Sequence, residues 1–227
     1  MDNQTKIKYK VEHRDVKHPR LEFKDTTLLI ILPHEIKDPK EILERRKNWI
    51  KKKWKIIQEA TKDIEKPEGF TILGEHYKIE NTNTPKPIID HKEKTIKIDK
   101  NNKKHIKIIK QKLRKILKQK INEIIEEYSE KIGTKPNKII IREQKTKWGS
   151  CSNKKNISLN LKLICLPTEL IKYITLHELL HLKEKRHTPA FKEIMKKEFP
   201  NHKEIEKKLL KYWFYTEKLL NNLEDRL

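Results

Sequence analysis

Apolar positions recur every second residue in some stretches of the chain and every third or fourth in others, and this change of period marks its elements. Ile7, Tyr9 and Val11 alternate with polar residues through 6–14, which predicts a strand. Residues 21–32 predict a second strand with room for a third, with 28–32 apolar enough to be buried and Asp25, Thr26 and Thr27 as a turn. Asp38 and Pro39 open a helix, a capping residue followed by a proline whose missing N–H is not needed in the first turn. Ile42, the stem of Arg46, Trp49, Ile50, Ile57 and Ala60 follow helical spacing behind them. A break at 66–69 precedes a hairpin over 70–79 turning near Gly74 and Glu75; a loop at 81–87 and a second hairpin, from Ile88 and Ile89 to 95–98, follow.

Residues 99–103 read as the connection between two halves. A long helix is predicted over 104–131, its inner face traced by Ile106, Ile109, Leu113, Ile116, Leu117, Ile121, Ile124, Ile125, Tyr128 and Ile132. Gly133 to Pro136 stops it. Strands are predicted at 138–142 and 156–164, the second from the alternation of Ile157, Leu159, Leu161 and Leu163. Pro167 opens a helix running through Leu182. Thr188 as a cap and Pro189 at the first position start another over 190–199. A last helix runs through Leu220 and packs the aromatic run Tyr212, Trp213, Phe214 and Tyr215. The pattern is α+β, with a strand-rich region containing one helix over 1–100 and a second domain over 101–227.

Composition changes this picture in three ways. The 227 residues contain no apolar run long enough to span a membrane, and the first six lack the apolar core of a secretion signal. Cys151 and Cys165 are too few for a disulfide framework. A cytoplasmic, membrane-free protein fits these features. The net charge is +22, which favours an anionic partner. Seven Lys or Arg and no acid lie between Arg45 and Lys55, with Trp49 and Trp54 among them; nine lie between Lys103 and Lys120, again with no acid. Basic residues mixed with aromatics suit nucleic acid, but an ordinary helix that packs its Trp inward and solvates its Lys is the reading preferred. A positive first half also opposes the macrodipole of the long helix.

The chemistry concentrates at Leu176-His177-Glu178-Leu179-Leu180-His181-Leu182. Residues four apart share a helix face, so His177 and His181 stand one turn apart, about 6 Å along the axis. From Thr168 to Leu182 the only charged residues are Glu169, Lys172 and Glu178. Such a helix belongs in an interior, where two imidazoles and a carboxylate are costly unless paired or metal-bound. Neutral imidazoles suit zinc, an open coordination position holds water, and the carboxylate of Glu178 can take that water's proton. A third ligand is needed. His187 qualifies if the helix ends first, leaving it in a corner between two helices; otherwise it is a solvated loop histidine. Metzincins share this histidine spacing but place Gly where this chain has Glu184, so that group is not assigned.

Two motifs give a resemblance covering about residues 6–220. One is Arg142 followed by Trp148-Gly149-Ser150-Cys151-Ser152; the other is the two-histidine stretch followed by His187-Thr188-Pro189-Ala190-Phe191. In both, the chain resembles the YgjP-like metal-dependent hydrolases, which have kinship to SprT-like and WLM proteases. Arg186, Thr188 and Lys192 stand where that family commonly has Asn, Ser and Trp. The resemblance implies a zincin-like catalytic domain (long helix, small sheet, metal-site helix, C-terminal helices) with one zinc ion on His177, His181 and His187. It implies Glu178 as the base, and a hairpin of Trp148, Gly149, Ser150 and Cys151 bordering the cleft. Cys151 is an alternative zinc ligand that would close the open position.

The expected activity is zinc-dependent hydrolysis of peptide bonds in a peptide or protein substrate. Arg142, Tyr173 and Tyr212 are candidates for oxyanion support, and the strand 156–163 is a candidate edge for backbone pairing with substrate. Alternatives are a nucleic-acid-associated module with structural zinc, a protease recruited by DNA, and a hydrolase of non-peptide amides.

Overall fold

The computed structural model describes residues 7–24, 27–62, 69–99 and 101–224, and these form two compact units, Met1–Glu65 and Lys66–Leu227. The expected turn at 25–26 and the break at 66–68 fall outside the described residues.

The first unit contains a three-stranded sheet in the order β1-β3-β2: β1 (Tyr9–His13), β2 (Arg20–Lys24) and β3 (Thr27–Leu32). β3 is central, parallel to β1 and antiparallel to β2. Leu28, Ile30 and Leu32 alternate onto one face and pack with Ile50. The single expected helix is interrupted. α1 (Lys40–Arg45) and α2 (Lys47–Lys62) meet at Arg46, whose φ of −105° and ψ of 8° leave the helical range. Pro39 occupies the cap position of α1 instead of the first turn, and Asp38, one residue earlier, accepts from the Lys40 amide at 2.9 Å. Trp49 and Trp54 both stack on Phe23, with ring centroids 6.1 and 6.0 Å away. Trp49 nevertheless stays 37% exposed, so packing accounts for only part of its surface.

The second unit starts earlier than residue 100, because the strands from 70 to 98 share one core with the long helix. β4 (Phe70–Ile72), β5 (Glu75–Asn81), β6 (Ile88–Asp90) and β7 (Thr95–Ile98) form a sheet in the order β4-β5-β7-β6. Leu73 and Gly74 join β4 to β5, both with positive φ (52° and 85°), as a two-residue hairpin turn requires. This turn also docks. The Leu73 amide donates to the Ile164 carbonyl at 2.6 Å, and a Cβ on Gly74 would lie 2.9 Å from Cα of Pro167.

α3 (Lys103–Ile132) runs through the core, burying Ile109, Leu113, Leu117, Ile121, Ile124 and Tyr128. Asn102 caps it by accepting from the Lys104 amide, and Gly133 ends it in the left-handed conformation at φ 67°. Part of its positive charge is used inside the fold: Lys110 and Arg114 pair with Glu143, and Lys112 donates to the Pro87 carbonyl at 2.8 Å.

A second sheet has the order β8-β10-β9: β8 (Lys138–Arg142), β9 (Gly149–Cys151) and β10 (Asn156–Asn160). The predicted strand over 156–164 is therefore shorter. Leu161–Cys165 forms a 3-10 turn with all five residues buried, because Asn160 accepts from the Lys162 amide and bends the chain. Three helices complete the unit: α4 (Thr168–Leu180), α5 (Pro189–Glu198) and α6 (His202–Glu224).

Leu117 is fully buried in the shared core. Leu117→Ala should lower unfolding free energy by about 3 kcal/mol in chemical denaturation, through lost burial and a residual cavity.

Candidate metal centre

α4 is buried along Leu170, Ile171, Ile174, Leu176, Leu179 and Leu180, and it packs against α3, β9, β10, α5 and α6. Its end forms the site. His181 occupies the C-cap, and the amides of Lys183 and Glu184 both donate to the Leu180 carbonyl (3.0 and 2.9 Å). The chain thus turns sharply at the second histidine. The Glu184 carbonyl comes back to the His181 ring, 2.9 Å from Nδ1. The Thr188 hydroxyl donates to the Glu184 carboxylate at 3.3 Å and accepts from the Phe191 amide at 3.2 Å. α5 begins at Pro189, as its residue pattern foretold, and His187 sits in the corner between the two helices.

The three histidines converge. Their ring centroids are 4.9 Å apart in every pairing, and one ligand nitrogen from each lies within 4.8 Å of the others. Nε2 of His177 and Nε2 of His187 are 3.1 Å apart. Two ligand nitrogens of a tetrahedral zinc, each ~2.0 Å from the ion, stand about 3.3 Å apart. The Phe191 ring lies 4.8 to 5.0 Å from all three imidazoles and walls the cluster. The sequence reading quoted Phe191 without a role; its position four residues after His187, at the first turn of α5, was the available signal.

Burial, reinforced by His181 and His187, pushes the pKa of His177 down to about 4. The imidazole is therefore neutral at pH 7, as a metal ligand must be. With Nδ1–H of His181 donating to a carbonyl, its Nε2 remains free for a metal. The donor set fits a divalent ion that accepts nitrogen ligands. Among the described residues the cluster contains only these three histidines, and Cys151 Sγ contacts instead the Ser152 carbonyl at 3.6 Å.

Glu178 is buried, and burial pushes its pKa up to about 7, with Lys147 opposing the rise. It lies against β9. A Cβ on Gly149 would come within 2.8 Å of both Cγ and Oε1 of Glu178 and 2.9 Å of Leu159. Gly149 is thus the space into which the carboxylate fits. Asn160 fixes the approach to β9: its Nδ2 donates to the carbonyls of Gln144 and Lys147 (2.8 and 2.9 Å), and its amide donates to the Trp148 carbonyl (2.7 Å). The sequence reading passed over this residue, because its partners lie 12 to 16 positions away. Trp148 packs edge-on against Trp213 at 4.8 Å, and the Lys162 ammonium lies 4.2 Å from the other ring.

The remaining candidates fall elsewhere or do other work. Arg142 pairs in register with Asn160 on β8, on the far side of β10 from β9. Ser150 and Cys151 are half-buried on β9, and burial raises the Cys151 thiol, helped by Glu178 and opposed by Lys185. The Tyr173 hydroxyl donates to Glu206 at 3.1 Å, and Tyr212 packs edge-on against Tyr215. The edge-strand expectation also changes: β10 is paired on both sides, and β9 is the edge beside Glu178.

Residues 17–212 match the family described as YgjP-like, metallopeptidase domain. The chain belongs to this family. This YgjP-like metallopeptidase is a metal-dependent hydrolase, and its substrate is a protein or peptide. Two solved structures are similar to parts of it. The metallopeptidase zymogen abylysin of Pyrococcus abyssi is 28% identical over 40% of this chain and 91% of its own, with a TM-score of 0.37. The zymogen jannalysin of Methanocaldococcus jannaschii is 33% identical over 41% of this chain and 87% of its own, with a TM-score of 0.35. No curated protein matches the chain. Among the described residues no helix is long and apolar enough to cross a membrane.

Gly149→Ala should displace Glu178. Peptidase activity is expected to fall roughly 100-fold, as for a misplaced reacting group. Metal content, read by elemental analysis, should stay unchanged because no histidine is touched.

Proposed function

We propose that His177, His181 and His187 hold one zinc ion and that Glu178 is the general base of peptide-bond hydrolysis. The observation that supports this reading is a buried carboxylate, with its pKa near 7, one residue from a three-nitrogen cluster and held against Gly149. The zinc, when bound, supplies Lewis acidity at the scissile carbonyl and makes a water more acidic.

Glu178 supplies the proton transfers. A base works best with a pKa near the working pH, and desolvation brings this carboxylate there. Its oxygen accepts a proton from the attacking water and returns it to the leaving amine nitrogen. Phe191 and the buried face of α4 keep bulk water from the back of the imidazoles. The free edge of β9 offers backbone groups to an extended peptide, in place of the strand expected from the sequence.

His187→Ala should lose most bound zinc after dialysis, measured by elemental analysis, while wild type retains about one ion per chain. Glu178→Gln should retain the ion and lose about 1,000-fold in turnover, within the range a general base contributes, because its amide cannot accept the proton. Cleavage equal to wild type would exclude this mechanism.

The raised carboxyl pKa also has a stability consequence with a defined sign. The folded protein holds this proton more tightly than the unfolded chain, so the metal-free fold loses stability as pH rises from about 4.5 to about 7. Glu178→Gln should therefore stabilise metal-free protein at pH 8, by on the order of 2–3 kcal/mol, and have little effect at pH 4. Thermal melts at both pH values after chelation measure the difference.

A further inference from the structure

Two segments bound the three-histidine site. One is 144–151, which leads into β9 and places Gly149 on Glu178. The other is the turn 183–188, which carries the Glu184 carbonyl on His181 and His187 itself. The segments meet at the end of α4: Gly149 lies against Glu178, and Nε2 of its neighbour His177 is 3.1 Å from Nε2 of His187.

Both segments expose cations. Lys145 and Lys147 are exposed on the first, Lys185 and Arg186 on the second. The first contains no Asp or Glu, and the second contains only Glu184, whose carboxylate accepts from Thr188. The neighbouring acid Glu143 is engaged by Lys110 and Arg114. Lys183 is different: its ammonium lies toward Gly133, at the C-terminus of α3. Lys145 and Lys147 also stand on a fixed backbone, because Asn160 holds the carbonyls of Gln144 and Lys147.

We propose that the cleft selects peptides with acidic side chains flanking the scissile bond, with Lys147 and Lys185 as specificity-determining residues on its two sides. This rests on the three-histidine site being the catalytic one. Each exposed pair contributes little alone, but charges of one sign around one cleft act together on the encounter and on register. A peptide is the better occupant than a nucleic acid because the edge of β9 presents amide donors and carbonyl acceptors that an extended peptide backbone matches.

The test uses full-length, zinc-loaded Glu178→Gln protein and fluorescein-labelled peptides of one length and sequence, with Asp and Glu or with Lys at the flanking positions. Fluorescence anisotropy reads binding. The acidic peptide should bind at least about fivefold tighter than the lysine peptide, as a few exposed ion pairs allow. The preference should shrink as salt rises from about 50 to about 300 mM, because surface charges are screened over ~10 Å or less. K147E/K185E should abolish or reverse it, and K147Q/K185Q should reduce it, with unchanged melting temperatures certifying the fold. Charge-independent binding, or a preference that survives K147E/K185E, would overturn the proposal. Displacement of the acidic peptide by a single-stranded oligonucleotide at far lower concentration than by unlabelled peptide would overturn the choice of a peptide. Cleavage by wild type against Glu178→Gln is scored separately, so a failed catalytic reading is distinguished from a failed charge preference.

Discussion

Holding a buried carboxylate between two half-buried imidazoles on a largely apolar helix is the constraint that the rest of the second unit answers. Desolvation acts on the two groups in opposite senses. It holds His177 neutral, with a pKa near 4, and raises Glu178 to about 7. Both effects suit a metal centre with a base beside it, and both cost stability in the metal-free fold. The arrangement persists because the apolar side of α4, from Leu170 to Leu180, is embedded in a core built on α3.

Ending α4 at His181 is the second requirement. A helix continued straight would carry His187 about 9 Å farther along the axis and off the histidine face. The turn over 182–188 prevents this, and most of its polar groups are used. The Leu180 carbonyl accepts two amides, His181 donates to the Glu184 carbonyl, and Thr188 donates to the Glu184 carboxylate ahead of Pro189. The bond that shapes the turn is thus the bond that orients an imidazole of the cluster. Economy of the same kind appears at Gly149, where the absence of a side chain gives Glu178 its place, and at Asn160, where one buried amide fixes the loop leading there.

Charge is distributed by distance from this centre. Lys147 moderates the Glu178 pKa without reversing the effect of burial. Farther out, Lys110 and Arg114 on α3 hold Glu143, the acid at the end of β8. A strongly basic composition therefore contains charges that brace the fold as well as charges facing solvent, and only their neighbours tell the two apart.

Local pattern was enough for much of this. Periodicity located the strands, the long helix and α4; the i, i+4 histidines and the Thr188-Pro189 start of α5 are properties of adjacent residues, so they were legible in the chain itself. Long-range placement was not. That strands 70–98 join the second unit depends on Gly74 meeting Pro167, and that β10 is central depends on pairing with β8 and β9. The alternation through Leu163 continues past the point where Asn160 bends the chain, because a buried 3-10 turn is apolar too. By itself the sequence determined which residues can ligate a metal and carry a proton, since spacing along one helix settles that. Only the tertiary structure decided that His187 closes the cluster, that Arg142 lies across a strand from β9, and that Glu178 is dry enough to hold its proton near neutral pH, because each of these depends on which distant segments exclude water from the same few cubic ångströms.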